Sequence, residues 1–131
     1  MQYGEFCYAY MKDPKTWSEA EVMCKAVGGY LAEVHTQQEN DVLEKIIFEN
    51  IHKTIWLGAH DLITEGNWIW AGTGGPVNDT FTFWGPNEPN DTGSREDCMT
   101  FNFVHGYWND DVCVKNMPFV CQKPIESIVV G

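Results

Sequence analysis

Two stretches of the chain carry a high density of oxygen-bearing side chains. The first covers residues 84–98 and places carboxylates and amides among prolines and glycines, and the second is Trp108-Asn109-Asp110-Asp111. Calcium takes about six to eight hard oxygen ligands, from carboxylates, side-chain amides and backbone carbonyls. The residues that offer such oxygens are Glu88, Asn90, Glu96, Asn109 and Asp110. Their types and spacing predict a calcium-binding loop.

The distribution of charge supports a cation near these stretches. The net charge is −11, and from Thr54 to Asp111 the chain holds nine acids and a single base, Arg95. Crowded carboxylates repel one another unless a cation is present, although an acidic surface that keeps the protein soluble is the alternative interpretation. The same charge argues against nucleic acid as a partner, because phosphate binding requires a surface rich in Lys and Arg.

Catalytic uses of these acids fit less well. A glycosidase needs two carboxyl groups in contrasting environments, whereas here five or six acids are crowded together. No serine lies in a G-x-S-x-G turn, although composition alone does not exclude a Ser-His-Asp triad. The segment Asp91-Thr92-Gly93 lacks the D-x-D-x-D-G pattern of an EF-hand. We therefore expect a binding protein rather than an enzyme.

The helices that help to hold these loops are predicted in the first half of the chain. A capping box at 16–19 predicts a helix over residues 16–27, which Gly28-Gly29 ends. A second capping box at 36–39 predicts a helix that continues to about Asn50. The positions expected to face the core are Trp17, Ala20, Cys24 and Val27 in the first helix, and Val42, Leu43, Ile46 and Ile47 in the second.

Short strands dominate the second half. The predicted strands are 4–10, 30–34, 55–58, 68–70, 98–103, 106–109 and 119–123, with a further candidate at 80–83. Residues 71–97 show little regular structure, which is typical of a functional loop. This order of elements predicts one α+β domain over residues 1–131 with an antiparallel sheet. No apolar run approaches the ~20 residues that span a membrane, so membrane insertion is not expected.

The cysteines indicate the compartment in which the protein functions. There are five, none of them in C-x-x-C spacing, and the four histidines are scattered, so a zinc or redox site is not expected. In a chain of this size, these cysteines indicate a secreted, extracellular protein with two disulfides and one cysteine left over. Glycosylation sequons at Asn78 and Asn90 agree with a secretory route.

Taken together, the motifs resemble those of a C-type lectin domain of the mannose-recognising kind. They are Glu88-Pro89-Asn90, Trp108-Asn109-Asp110, Ile55-Trp56-Leu57-Gly58 and the cysteines Cys24, Cys98, Cys113 and Cys121. The resemblance covers about residues 4–123 and leaves 124–131 as an apolar tail. It implies the C-type lectin fold: two helices, two small antiparallel sheets and a long loop region that binds calcium, with the calcium itself binding sugar.

The resemblance assigns ligands to two calcium ions. The sugar-binding ion would be held by Glu88, Asn90, Glu96, Asn109 and Asp110, and these residues would also contact the carbohydrate. An auxiliary ion would be held by Asp61, Glu65, Asp91, Asp97 and the backbone carbonyl of Glu96. Three flanking residues are candidates for tuning selectivity: Thr92, His105 and Tyr107. A role as ordinary loop residues is at least as good an interpretation of these three.

The resemblance also implies a function. In the family, the order Glu-Pro-Asn goes with the equatorial 3- and 4-hydroxyls of mannose, glucose and N-acetylglucosamine, and with fucose through other hydroxyls. We therefore expect a calcium-dependent lectin for mannose-type glycans, with a role in innate recognition of microbes. Because single sites of this class are weak, a homodimer or higher oligomer is expected. The alternative is a lectin-fold module that binds a protein or mineral surface, with calcium in a structural role.

Four cysteines are paired by the resemblance, as Cys24–Cys121 and Cys98–Cys113. Cys7 departs from the pattern, because longer family members have an earlier cysteine that pairs with this position and none precedes it here. Three interpretations stay open for Cys7: a free thiol, the loss of its partner by truncation, or a bridge to a second chain.

Overall fold

Two helices and eight short strands make up the described part of the chain. The structure, a computed structural model, describes residues 2–3, 6–77, 81–86, 97–104 and 106–125. Its elements are β1 (Gln2–Tyr3), β2 (Phe6–Lys15), α1 (Trp17–Ala26), β3 (Tyr30–Leu31), α2 (Gln37–Ile46), β4 (Ile55–His60), β5 (Ile69–Trp70), β6 (Cys98–Phe101), β7 (Trp108–Asp111) and β8 (Met117–Pro124). The two sequons and most of the apolar tail lie outside the described residues.

Helix α1 begins where the capping box predicts it. The Thr16 hydroxyl accepts a hydrogen bond from the Glu19 amide (3.3 Å), and the Glu19 carboxylate accepts one from the Thr16 amide (3.0 Å). Gly28 follows the helix with a φ of 87°, a conformation that favours glycine. The buried face of the helix is formed by Trp17, Ala20 and Cys24. Val27, predicted to join them, lies past the last helical turn and is exposed.

Helix α2 begins at the predicted residue with only half of the predicted capping box. The Thr36 hydroxyl accepts from the Glu39 amide (3.1 Å), as expected. The Glu39 carboxylate, however, accepts from the amide of His35 (2.6 Å), because that donor also lies within its reach. Past Ile46 the helix widens into a π-helical turn, Ile47–Ile51. Within the described ranges, neither helix is long and apolar enough to cross a membrane.

The strands form one sheet in the order β1-β2-β8-β4-β6-β7, with β3 paired to β8 and β5 to β4. All pairings are antiparallel except that between β4 and β8, where Trp56 is opposite Phe119. This parallel pairing joins the two sheets that we expected into a single mixed sheet. Both strands are buried along most of their length, so the sheet has no solvent-filled gap there. The predicted α+β class is confirmed.

Some strands differ in length from the predictions. β2 continues past the predicted end at Tyr10 to Lys15, with a register shift after Met11. β3 is shorter than predicted, because the Glu33 amide donates to the side chain of Gln122 (2.8 Å) instead of joining a strand ladder. Residues 81–83 form no strand. β7 begins and ends two residues later than predicted, which brings the acids that follow Asn109 into the strand.

Tryptophan rings fill much of the core and also hold backbone. Those that are buried are Trp17, Trp56, Trp68, Trp70 and Trp108. The Trp17 indole N–H donates to the carbonyl of Leu57 (2.9 Å), and that of Trp56 donates to the carbonyl of Lys15 (2.9 Å). The rings of Trp17 and Trp56 therefore fix distant segments as well as filling space.

Both expected disulfides are formed. Cys24–Cys121 ties α1 to β8, and Cys98–Cys113 joins the start of β6 to the segment after β7. Cys7 bonds to none of the other four cysteines, all of which are described. It is half-buried on β2 and lines an apolar cavity of 260 Å³ next to β8.

Candidate metal centre

Three acidic side chains converge at one end of the sheet. Carboxylate oxygens of Asp61, Glu65 and Asp97 all lie within 4.8 Å of one another. Asp61 is buried, Asp97 is half-buried and Glu65 is exposed, so the cluster is open to solvent on one side. The structure therefore brings together three of the predicted auxiliary ligands.

Neighbouring strands position this cluster. Asp61 follows the last residue of β4 and Asp97 precedes the first residue of β6, and these two strands are antiparallel neighbours. The Asp61 amide donates to the Asp97 carbonyl (3.0 Å), which fixes the two acids side by side. Glu65 is brought back by the following turn, in which the Gly66 amide donates to Oδ2 of Asp61 (2.9 Å).

The donor set fits a hard divalent cation. Asp61 is 3% exposed, and no described residue offers a hydrogen bond to its Oδ1. A buried carboxylate oxygen without a partner is costly, and three crowded carboxylates also repel one another. Calcium is coordinated by carboxylate oxygens from several residues, so binding it would relieve both costs. The three acids therefore fit calcium.

Two further predicted ligands that the structure describes, Asn109 and Asp110, lie on β7. Asn109 is opposite Thr100 and Asp110 is opposite Met99 on β6. The Asp110 residue is fully buried. Oδ1 of Asn109 is also buried, and the described residues provide no hydrogen-bond partner for it. Because a side-chain amide oxygen is an ordinary calcium ligand, this orphaned atom fits the predicted sugar-binding ion.

Trp108 holds β7 in place from the core side. Its indole N–H donates to Oδ1 of Asn40 on α2 (3.1 Å). Its backbone amide donates to the carbonyl of Phe83 (2.9 Å), and its carbonyl accepts from the amide of Gly85 (3.0 Å). Helix α2 and the segment 81–86 thus both fix the strand that carries the two ligands, which is how a rigid scaffold positions a binding site.

The Cys98–Cys113 disulfide connects the two groups of ligands. Cys98 follows Asp97 directly and is opposite Asp111 in the β6–β7 ladder. Cys113 lies two residues after that strand ends. The disulfide therefore restrains the separation between the acid cluster and the ligand-bearing end of β7.

The remaining predicted site residues lie outside the described residues. They are Glu88, Asn90, Asp91, Thr92, Glu96 and His105. Tyr107 is described; it is 39% exposed, and its ring centre lies 5.6 Å from that of Phe83. The geometry shows how Asp61, Glu65 and Asp97 meet and how Asn109 and Asp110 are held, and every ligand assignment stays a prediction.

A buried carboxylate that was not predicted supports the loop region. Glu33 is 1% exposed and accepts hydrogen bonds from the Gly72 amide (2.7 Å), the Thr73 amide (3.2 Å) and the Thr73 hydroxyl (2.8 Å). The bonds tie the chain after β3 to the turn after β5, where the stretch 71–97 begins. A single acid within the otherwise apolar segment 31–34 was the signal that could have pointed to it.

Two histidines near the site have shifted pKa values in opposite directions. A hydrogen bond to Glu33 (2.9 Å) raises the pKa of His35, and burial only partly opposes this shift. Burial lowers the pKa of His60, which directly precedes Asp61. His60 is therefore neutral at neutral pH and adds no positive charge beside the acid cluster.

The chain as a whole matches a known family. The family model described as the lectin C-type domain matches residues 13–123, which is most of the chain. This chain belongs to the C-type lectin domain family, and the predicted C-type lectin fold is confirmed.

The chain is similar to a protein named Lectin, to a carbohydrate-recognition domain and to an antifreeze protein. A protein named Lectin from Pleurodeles waltl is 38% identical over 120 residues, which cover 88% of this chain and 68% of that protein. The carbohydrate-recognition domain of cow CD23, solved in the presence of a GlcNAc2Man3 oligosaccharide, has a TM-score of 0.86 at 30% identity and covers 97% of this chain and 94% of its own. A calcium-independent type II antifreeze protein has a TM-score of 0.83 at 28% identity, covering 95% of this chain and 90% of its own.

Proposed function

We propose that this protein is a calcium-dependent lectin that binds mannose-type glycans. The observation that carries the proposal is the orphaned, buried Oδ1 of Asn109 next to the buried Asp110 on β7. Family membership and the similarity to a domain solved with a mannose-containing oligosaccharide support it. We propose a binding protein and not an enzyme, because three acids crowd together at one place, whereas a glycosidase uses a single pair of carboxyl groups.

The proposed sugar site combines described and undescribed residues. Bound calcium would supply coordination positions at which two neighbouring sugar hydroxyls replace water. Asn109 and Asn90 donate their amide N–H groups to the sugar hydroxyls, while Glu88 and Glu96 accept from them. Asp110 contributes its carboxylate and its backbone carbonyl. The order Glu-Pro-Asn sets this pattern of donors and acceptors, and it supports the choice of mannose, glucose, N-acetylglucosamine and fucose over galactose.

An auxiliary calcium ion would brace the loop. Its proposed ligands are Asp61, Glu65, Asp91, Asp97 and the backbone carbonyl of Glu96. The convergence of three of these carboxylates within 4.8 Å supports the assignment. Because the proposed ligands come from the residue after β4, from the turn that follows and from the segment before β6, binding here would restrain the segment that also carries the proposed sugar ligands.

The test compares sugar binding by the wild type and by Asp110→Asn. This change removes one charge and almost no volume, so the fold should survive, and thermal unfolding in a chelator checks that it does. Titration calorimetry with methyl α-mannopyranoside should show calcium-dependent binding by the wild type and none by the variant. Asp41→Asn, at an exposed position on α2, is the matched control and should bind like the wild type.

Two outcomes would contradict different parts of the proposal. Sugar binding that survives a calcium chelator, or a glycan array on which no sugar is bound, would overturn the lectin assignment. A preference for galactose would overturn only the specificity that is drawn from Glu-Pro-Asn.

The second candidate function is recognition of a protein or mineral surface, with calcium in a structural role. The fold similarity to an antifreeze protein described as calcium-independent supports this second candidate, because that protein is an example of the fold whose function does not require the ion. The same glycan array discriminates the two candidates, because this alternative predicts no calcium-dependent sugar binding at all.

We further propose that the protein acts outside the cell as a homodimer or higher oligomer, in innate recognition of microbes. A millimolar sugar site contributes only about −4 kcal/mol. Several sites on one particle raise the effective affinity without any new contact. Sedimentation equilibrium of the full chain measures the oligomeric state, and a monomer at micromolar concentration would contradict this part.

A further inference from the structure

An exposed turn after β5 is held in place by a buried carboxylate. Gly72 and Thr73 in this turn are exposed, whereas Glu33 is 1% exposed. Oε2 of Glu33 accepts hydrogen bonds from the amides of Gly72 (2.7 Å) and Thr73 (3.2 Å), and its Oε1 accepts one from the Thr73 hydroxyl (2.8 Å). We call these three hydrogen bonds the Glu33 clamp.

The turn comes this close to the carboxylate because residue 72 is a glycine. A Cβ added at Gly72 would lie 2.7 Å from Oε2 of Glu33 and 2.5 Å from Cγ of Tyr30, which is closer than a real Cβ comes to another atom. Any larger residue would therefore push the turn away from Glu33. The clamp depends on two residues that are 39 positions apart in the chain.

Strand β4 lies within the same set of contacts. The Gly58 amide donates to the carbonyl of Ala32 (2.9 Å), and the Gly58 carbonyl accepts from the amide of Ala71 (2.7 Å). Ala32 directly precedes Glu33, and Ala71 directly precedes Gly72. The clamp therefore closes a ring of backbone and side-chain bonds around one residue of β4.

Strand β5 links the clamped turn to the acid cluster formed by Asp61, Glu65 and Asp97. Asp61 directly follows β4, and Glu65 lies in the segment that joins β4 to β5. β5 pairs with the end of β4, with His60 opposite Ile69, and the clamped turn directly follows β5. Release of the turn would therefore free β5 and loosen the segment that carries two of the three acids.

We propose that Glu33 is a positioning residue for calcium at the acid cluster, and that the clamp and the bound ion stabilise each other. An ion that binds better when the clamp is closed shifts the equilibrium towards the closed clamp. By thermodynamic linkage, the closed clamp raises the affinity for the ion by the same factor. This inference rests on the proposed function, because it concerns the calcium that the function requires.

The first measurement is calcium affinity by titration calorimetry. An Asp110→Asn background weakens the proposed sugar-binding ion, so that the acid cluster dominates the titration. Glu33→Gln should raise the calcium Kd by about twentyfold, because an amide has one acceptor oxygen for donors that now use two. Thr73→Val removes a single hydrogen bond at an exposed position, where the fold should survive, and should raise the Kd by about fivefold.

Two further variants are the matched controls. Thr73→Ser keeps the hydroxyl that donates to Glu33 and should keep the calcium affinity. Glu49→Gln, at an exposed position, removes the same charge as Glu33→Gln and should change the Kd by less than about twofold, because solvent and salt screen an exposed charge.

Hydrogen exchange of the Gly72 and Thr73 amides tests the reciprocal effect. In the unchanged chain, saturating calcium should slow the exchange of both amides by about twentyfold, because the ion favours the closed clamp. If the clamp serves only the fold, both amides should exchange at the same rate with and without calcium.

The outcomes separate this inference from the proposed function. If calcium binds the unchanged chain but Glu33→Gln and Thr73→Val keep the full affinity, the positioning role is wrong and the lectin assignment stands. The same conclusion follows if both variants lose stability while their affinity, measured at a temperature where they are folded, is unchanged. If the unchanged chain binds no calcium, the inference and the proposed function are both wrong.

Discussion

At the scale of single residues, Glu33 shows how one buried carboxylate connects the sheet to the loop region. Its donors are two backbone amides and a hydroxyl from the turn at Gly72 and Thr73, together with the half-buried ring of His35. A carboxylate in a buried site needs such donors, because they replace the hydration that burial removes. Charge on His35 is favoured in the folded state by the same contact.

The raised pKa of His35 predicts a pH-dependent contribution to stability. Because folding raises the pKa of His35, protonation of its ring stabilises the folded state. This stabilisation is complete below the pKa of the unfolded state, near 6.5, and is lost as the pH rises through the pKa of the folded state. The free energy of unfolding should therefore fall more steeply above pH 6.5 in the wild type than in His35→Asn. Urea unfolding at a series of pH values measures this difference.

A control isolates the cause of the shift. NMR titration of the His35 ring should give a midpoint above 6.5 in the wild type and a lower one in Glu33→Gln, because the hydrogen bond to a carboxylate is the largest cause. A midpoint that does not move would show that another group raises the pKa of His35.

At the scale of the elements, the two helix starts differ although their sequences are alike. At α1, Thr16 and Glu19 make both hydrogen bonds of the capping box. At α2, the carboxylate of Glu39 instead accepts from the amide of His35, which precedes Thr36. Each threonine still caps its helix, because its hydroxyl accepts from the amide three residues on. The capping residue is thus a local property of the sequence, and the partner of the glutamate is not.

We predict that Thr16→Ala lowers the free energy of unfolding by about 1 kcal/mol, the usual value for the loss of an N-cap. The loss arises because an amide in the first turn of α1 is left without its acceptor. Thermal and urea unfolding measure it. Ser18→Ala, at an exposed position in the same turn, is the control and should change the free energy by no more than about 0.5 kcal/mol.

At the scale of the whole molecule, the two disulfides have different tasks. Cys24–Cys121 joins residues 97 positions apart and holds the first helix to the last strand. Cys98–Cys113 joins residues 15 positions apart, and its loop carries Asn109 and Asp110. The first therefore constrains the whole chain, and the second constrains the candidate metal centre.

Removing each disulfide should separate stability from ligand geometry. Both double variants are made in a Cys7→Ser background, which prevents exchange with the remaining thiol. On the entropic model, the free energy of unfolding should fall by about 4–5 kcal/mol in Cys24→Ala/Cys121→Ala and by about 3 kcal/mol in Cys98→Ala/Cys113→Ala. Unfolding in a chelator measures these values. Calcium affinity at a temperature where both variants are folded should fall mainly in the Cys98/Cys113 variant, and an equal loss in both would contradict the division of tasks.

Much of this molecule was predictable because the relevant signals are local. Thr16 and Glu19 are three residues apart, so a short-range sequence pattern predicts the cap of α1. The predicted ligands Asn109 and Asp110 follow from the preference of calcium for oxygen, whereas Asp61 was predicted from the family pattern. The family pattern added the disulfide pairs, which residue spacing alone left open.

By itself, the sequence determined the α+β class and the starts of both helices, and it predicted the chemical nature of the candidate site, since each depends on residue type and short-range spacing. Only the tertiary structure decided which distant groups meet. Asp61 and Asp97 are hydrogen-bonded because β4 and β6 are neighbours. Glu33 accepts a hydrogen bond from the distant hydroxyl of Thr73. The pairing of Trp56 with Phe119 joins the two expected sheets into one. Such contacts depend on how the whole chain packs, and the sequence of a short segment does not determine that packing.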